Sequence, residues 1–538
     1  MTSMPPLHAQ PLRWFPLRYL PLLSGLLCAP LAVADSDLWG AHLDVEAKPG
    51  NKRSLGEADM FLPIAQDVRT LFFANIRTRA DDLGGREGNF GLGVRRMRDK
   101  GWNLGSHVYF DRRRSSDTGF YYNQITLGLE ALGPDIEWRS NAYLPVGTRR
   151  RDLGSASTAQ VSGTAIQVET ATSLESSLRG YDAEAGWRLP LFDSDAAQQL
   201  RVYLGGYHFS DGDVTVTGPR ARIELAFEDL SWFGRGSALF MGAEAQHDAA
   251  RGSRQFLSVR LRIPLGKENP SRSRLSAQAR RMTTAIVRDV DVVTQRHVSR
   301  QTETATATAD GRSFTVINSA TTSGADLASA VAGGKSVVLL SGTFNTSSEV
   351  IVAANQTLTG SLTVTTPSGR TATVNTQAAI AAINASGAAV SIGNRGVLSN
   401  LSVSNTLDGS VAGIGVRGTI GPATIINNRI TVSQNGANDV IGVDASTGGF
   451  ALVSGNVITV TGSAGAGTLT AIRAFQGGAT VSRNTLAVSG GTSNYSIQSS
   501  AFTNVFNAGS TGNVLISGVC NGGSLSGNVV FTDGSSCP

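Results

Sequence analysis

Trp102-Asn103-Leu104-Gly105-Ser106-His107-Val108-Tyr109-Phe110-Asp111 alternates along its length. Trp102, Leu104, Val108 and Phe110 fall on one side of an extended chain; Asn103, Gly105, His107, Tyr109 and Asp111 fall on the other. A period of two marks a β-strand whose faces meet different surroundings. The pattern recurs in 136–144, where Ile136, Trp138, Ala142 and Leu144 oppose Glu137, Arg139, Asn141 and Tyr143. In 220–228, Ala221, Ile223, Leu225 and Phe227 oppose Arg220, Arg222, Glu224 and Glu228. In 256–263, Leu257, Val259, Leu261 and Ile263 oppose Arg260 and Arg262. Similar strands are predicted near 38–46, 71–79, 88–96, 122–132, 180–189, 199–209 and 237–247, with one more within 164–176. That makes about twelve strands of about 9–11 residues, the length a tilted strand needs to cross hydrocarbon. An even count suits a closed antiparallel barrel with both ends on one membrane side.

The polar faces decide the setting. They carry Arg77, Asn89 and Arg95, then Asn103, His107 and Asp111, then Glu130, Glu137, Arg139 and Asn141. Further along come Glu184, Arg222, Glu224, Glu244 and Arg260. Inside a soluble barrel such groups would be buried at high cost. In a membrane barrel they line a wet lumen and pair across strands, while the apolar faces meet lipid. Trp39, Trp102, Trp138, Trp187 and Trp232 all lie in this region, several near strand ends, where interfacial girdles form. A soluble β-sandwich also alternates, but strand length and the charged ladder count against it. Gly91-Leu92-Gly93 sits within a strand with no helix following, so it reads as crowding relief rather than a phosphate loop.

Residues 1–34 read as a secretory signal peptide. Arg13 and Arg18 form the basic region, Leu20 to Leu27 the apolar core, and Ala32-Val33-Ala34 the cleavage site, with Asp35 as mature N-terminus. Leu27 before Cys28 is larger than a lipid-attachment signal accepts. No later segment holds 18 consecutive apolar residues, so any membrane passage must use strands. Cys520 and Cys537 remain, and an even pair in an exported chain most simply forms a disulfide, worth about 3 kcal/mol for this loop.

The barrel is assigned to 35–266 and a helix with linker to 267–310. Leu275, Ala279, Met282 and Ile286 fall at spacings of four, three and four, one face of a helix. Arg272, Arg274, Arg280, Arg281 and Arg288 make it basic, able to pair with lumen carboxylates such as Glu130, Glu184, Glu224 and Glu244. Residues after Asp289 read as extended, and 299–311 as a flexible Thr-, Ala- and Ser-rich linker.

Residues 311–538 differ in kind. Of 46 basic and 41 acidic residues, only eight and six lie here. Asn400, Asn428, Asn456 and Asn484 recur every 28 residues, and Asn513 follows after 29. Short strands follow each, as in Ile430-Thr431-Val432 and Ile458-Thr459-Val460. Such repeats describe a right-handed parallel β-helix, with Asn at corners that tolerate left-handed backbone or form stacked amide ladders.

A family resemblance rests on several runs in order. Leu83-Gly84-Gly85-Arg86-Glu87-Gly88-Asn89-Phe90-Gly91-Leu92-Gly93 leads into Gly101-Trp102 and Tyr109-Phe110-Asp111. Leu127-Gly128-Leu129-Glu130, Asn141-Ala142-Tyr143-Leu144-Pro145 and Arg179-Gly180-Tyr181-Asp182-Ala183-Glu184 follow. The series, over about residues 50–295, resembles the inverse autotransporter barrel of the intimin and invasin family. The resemblance implies insertion by barrel-assembly machinery, return of the chain through the pore, and export of its own C-terminal passenger. The stretch 148–175 looks longer than the family pattern needs, and the family's peptidoglycan-binding module is not expected here. The opening Val337-Val338-Leu339-Leu340-Ser341-Gly342-Thr343-Phe344 resembles the first coils of pectate-lyase-like β-helices.

Two functions follow. The favoured one is an outer-membrane protein that displays an adhesive passenger to a host, cell-surface or polysaccharide ligand, without cofactor or metal. The other is a surface enzyme that degrades polysaccharides, which needs clustered carboxylates. Asp326, Glu349, Asp408, Asp439, Asp444 and Asp533 are the candidates, with Arg417 and Arg473 as partners. A net charge of +5 on 538 residues gives no case for nucleic acid.

Overall fold

The structure, a computed structural model, describes residues 38–230, 232–234, 236–265, 275–289, 291–383, 387–408, 412–419, 421–445, 451–474, 479–499, 506, 509–521 and 529–537. The signal peptide with Cys28, and Arg272 and Arg274, lie outside the described residues. The chain forms two compact units: one holds residues up to 154 with 172–299, the other 155–171 with 300–538.

The first unit is built from β1 (His42–Lys48), β2 (Leu55–Gln66), β3 (Thr70–Asp81), β4 (Arg86–Met97), β5 (Asn103–Arg114), β6 (Tyr121–Leu132) and β7 (Ile136–Val146). After the hairpin β8 (Arg150–Ser162) and β9 (Ala165–Ser177), it continues with β10 (Arg179–Leu189), β11 (Gln198–Ser210), β12 (Thr215–Leu230), β13 (Ser237–Asp248) and β14 (Gly252–Pro264). The antiparallel ladder runs β1 to β7, passes to β10, and closes β14 on β1, giving a barrel of 12 strands. Closure leaves no edge strand, so every strand is paired on both sides.

The expected count of twelve is right through two offsetting errors. The strand within 164–176 exists as β9, but it leaves the barrel and pairs with β8 and with β15 (Thr294–Thr304). Its place is taken by β2, which the alternation did not reveal. Leu55 and Phe61 are buried on the same face as Asp59, and Pro63 adjoins a bulge, so polarity does not alternate cleanly. Likewise 299–311 is not a flexible linker. β15 runs to Thr304, and Ala307–Thr308 pairs with Ser361–Thr365. The Thr-rich composition that suggested flexibility also suits strands.

The second unit is a right-handed parallel β-helix. One seven-stranded parallel sheet stacks Val338, Leu358, Leu398, Ile425, Val453 and Val481 in register. All six are fully buried, and each such side chain is worth about 1.5–3 kcal/mol in burial. The distal hairpin contributes Ile166 and Val168 to a separate cluster with Val316, Val337, Leu339, Val364 and Val374. That cluster lies over the first coils. At the far end Cys520 and Cys537 form the disulfide, with Cα atoms 5.5 Å apart.

The repeating asparagines divide into two kinds. Leu398 pairs with Ile425 and Ser402 with Arg429, so Asn400 aligns with Asn427 rather than Asn428. Asn400, Asn427, Gly455, Arg483 and Gly512 are the left-handed corners, with φ of 55°, 57°, 68°, 53° and 74°. The ladder is Asn428, Asn456, Asn484 and Asn513, one residue later. Each Nδ2 of the first three donates to the Oδ1 of the next, at 3.0, 3.0 and 3.1 Å. Equal spacing in sequence put all five asparagines at one kind of corner; the coil from Asn400 to Asn427 is one residue shorter, so of the five only Asn400 takes a left-handed corner, and the other four, one residue further on, form the ladder.

Candidate functional site: the barrel lumen and the segment within it

Alternate strand positions point inward, and the sequence-predicted lumen residues sit there. Arg77, Asn89, Arg95, Asn103, His107, Asp111, Glu130, Glu137, Arg139, Asn141, Glu184 and Glu244 are buried, and Arg222, Glu224 and Arg260 are half-buried. Their neighbours on the outer face are large, apolar and exposed: Phe90, Leu104, Phe110, Leu127, Trp138, Leu204 and Leu257 among them. An uncovered band of this kind is stable only against lipid. Leu127→Arg should therefore cost about 2–4 kcal/mol near the bilayer centre. Urea unfolding in lipid vesicles measures it, with Thr126→Ser on the inner face as the comparison. Trp138, Trp187 and Trp232 are exposed, as a girdle requires. Trp39 is not: it is buried in the lumen, where its Nε1 donates to the Ala279 carbonyl at 2.7 Å.

The inner wall is a charge network. Glu184 accepts from Arg139, Arg220 and Arg222, at 3.0, 3.4 and 2.7 Å. Arg95 pairs with Glu130, Arg262 with Asp44 and Lys48 with Glu244. Asn141 donates to Asp182, and Arg77 donates to Asn89, which in turn donates to Asp111.

Inside this wall lie residues 275–289 and 291–293. The helix expected to run to Ile286 is much shorter: α1 (Ala277–Arg280) is followed by one 3₁₀ turn, Arg281–Thr283, after which Thr284 leaves the helical region (φ −58°, ψ 140°) and 284–289 are neither helix nor strand. Two adjacent β-branched residues, Thr283 and Thr284, disfavour further helix. Wall groups also bind the freed backbone directly. Arg95 Nη1 donates to the carbonyls of Met282 and Thr284, and Asn103 Nδ2 to that of Gln278. Asn141 Nδ2 donates to the carbonyl of Val287, and Arg113 Nη1 to that of Val292. The face read from the spacing still finds the wall: Ala279, Met282 and Ile286 cluster with Trp39, Phe61, Leu71, Phe73 and Tyr109.

The segment's charges choose other partners than Glu130, Glu184, Glu224 and Glu244, which barrel cations already hold. Arg280 pairs with Glu228 at 3.0 Å, Arg281 with Glu137, and Arg288 with Asp111 at 2.8 Å. Asp291 joins Arg53 and Arg113. Sequence reasoning missed Arg53, Arg113 and Asp291: Arg53 lies in the loop before β2, Arg113 one residue from the end of β5, and Asp291 in the irregular segment itself, where no alternation marks a face.

The segment spans the barrel. Gln278 donates to carbonyls of Arg98 and Trp102, in the turn between β4 and β5. At the other extreme, Val293 accepts from Leu178, beside the start of β10. The first turn lies at the end where β1 begins and β14 finishes; β10 begins at the opposite end.

Residues 38–286 match the inverse autotransporter β-domain. Over those residues the barrel is recognised as that β-domain. No curated protein matches the chain significantly. Among solved structures, a membrane protein from work on in-meso crystallization shares 16% identity over 48% of this chain and 100% of its own, at TM-score 0.35. The translocator domain of the autotransporter NalP from Neisseria meningitidis shares 11% over 46% and 94%, at TM-score 0.24. Outer membrane phospholipase A from Escherichia coli shares 9% over 42% and 92%, at TM-score 0.25. These likenesses concern the barrel fold alone; the match to the inverse autotransporter β-domain is what marks the barrel as an outer-membrane translocator. Its family places the apolar band in lipid.

In the β-helix, the candidate catalytic groups are dispersed. Asp444 pairs with Arg473 at 2.7 Å, in register with Arg417 on the preceding coil. Asp439 accepts from the Thr468 backbone, Glu349 from Ser391, and Asp326 from Ser323. Asp533 caps a turn at Ser535, and Asp408 is engaged elsewhere.

Proposed function

We propose that this chain exports its own β-helix and displays it outside the cell as an adhesive surface. The carrying observation is the course of 275–293, which enters at the end holding both barrel termini and emerges at the other. An even-stranded barrel keeps those termini at the periplasmic side, so the exit faces outward. Barrel-assembly machinery would insert the β-domain, and the wall's hydrogen bonds would then hold the transited segment. The displayed surface is rich in Ser, Thr and Asn, suited to polar contacts with a host, cell-surface or polysaccharide ligand. Binding is favoured over polysaccharide cleavage because Asp444 is committed to Arg473.

Protease added to intact cells tests display. The β-helix is expected to be lost while a barrel fragment remains in the membrane. Protection of the β-helix until the outer membrane is permeabilised would refute the proposal.

A further inference from the structure

Asp211, Asp213 and His297 converge outside the lumen. The two aspartates lie in the turn between β11 and β12, and His297 in β15. One ligating atom from each lies within 4.8 Å of the others. The His297 side chain is only 10% exposed, yet neither ring nitrogen has a hydrogen-bond partner. Its Nε2 points at Asp213, 3.7 Å from Oδ2. Asp211 Oδ2 is also buried without a hydrogen bond, while its Oδ1 accepts from the backbone of Asp213 and Val214. A buried imidazole without partners is costly, and a carboxylate oriented by backbone donors is a prepared ligand.

Arg150 is the present counter-charge. It contacts Asp211 Oδ2 at 3.3 Å and Asp213 Oδ2 at 2.9 Å, but its side chain is 48% exposed. An exposed ion pair is worth at most about 1 kcal/mol, so a cation with stronger bonds can displace it.

We propose that these three residues form a Zn²⁺ site. One imidazole and two carboxylates are a borderline donor set that Zn²⁺ accepts at about 2.0–2.2 Å. Ca²⁺ needs about six to eight oxygens, which this site lacks. Closing ligands around Zn²⁺ would bring them to about 3.3 Å apart, a small contraction. Half-exposed Asp213 leaves a fourth position open to water. The ion would tie β15, just after the lumen segment, to the β11–β12 turn and so fasten the emerging chain to the barrel rim.

The test is Zn²⁺ titration of chelator-treated full-length protein in detergent, by competition with a chromophoric chelator. One Zn²⁺ per chain is expected, weakened at least about tenfold by His297→Ala. Arg150→Ala should tighten binding several-fold by removing the competitor, and His247→Ala should leave it unchanged. Heat-modifiable gel migration verifies that each variant is folded. Absence of stoichiometric binding, indifference to His297→Ala, or equal affinity for Ca²⁺ would overturn the site.

Discussion

Replacing Glu184 by alanine should destabilise the folded barrel by about 3–5 kcal/mol, the loss seen when one partner of a buried charge group is removed. The reason is the company it keeps. Arg139, Arg220 and Arg222 all direct nitrogen atoms at its carboxylate, and its side chain is 3% exposed. Without it Arg139 and Arg220 keep Glu137 and Asp182 as contacting anions, while Arg222 loses the carboxylate it contacts. Glu184→Gln should recover part of the loss, since an amide oxygen still accepts. Glu224→Ala should cost less than about 1 kcal/mol, because its single pair with Arg260 is more open to water. Urea unfolding in lipid vesicles ranks the three; equal effects at Glu184 and Glu224 would mean the lumen is uniformly wet.

The asparagine ladder gives the second large effect. Asn456 Oδ1 accepts from the backbone and side chain of Asn428, and its Nδ2 reaches the Ile425 carbonyl at 2.8 Å. Alanine there strands a buried N–H and a buried carbonyl, each costing about 1–3 kcal/mol. Asn456→Ala should therefore weaken the β-helix by about 2–6 kcal/mol. Asn400→Gly, at a left-handed corner, should be neutral or slightly stabilising. Limited proteolysis of the full chain across a denaturant series separates them. A similar loss at both sites would show the two positions to be equivalent after all.

These contrasts show what the sequence could convey. Alternation in 102–111 and 136–144 located strands, faces and the lumen, because a bilayer enforces one period on every spanning segment. It lost β2, where Leu55 and Phe61 turn inward. Those residues serve buried apolar clusters rather than the wet wall, and no local pattern records that. The spacing of Leu275, Ala279, Met282 and Ile286 found a buried face but not its backbone. Carbonyl acceptors for Arg95 and Asn141 came from a chain that leaves the helix early, and that depends on residues far away in sequence. The ladder was legible from Asn428 onward because identical stacked amides need equal coils. The coil from Asn400 to Asn427, one residue shorter than those after it, shifted Asn400 by one place, and only strand register revealed it.

The hairpin of β8 and β9 belongs to the barrel's portion of the chain, yet its Ile166 and Val168 already present an apolar surface to the opening turns of the solenoid. Stacked arrays grow most readily on a preformed neighbour, since a lone coil cannot bury its own face. A nucleus encoded ahead of the repeats spares the first coil that barrier. Each later coil docks on the one before it, so growth has a direction, and retreat requires stripping coils from the free end first. On the proposed export route, each coil that docks outside would oppose the chain's sliding back.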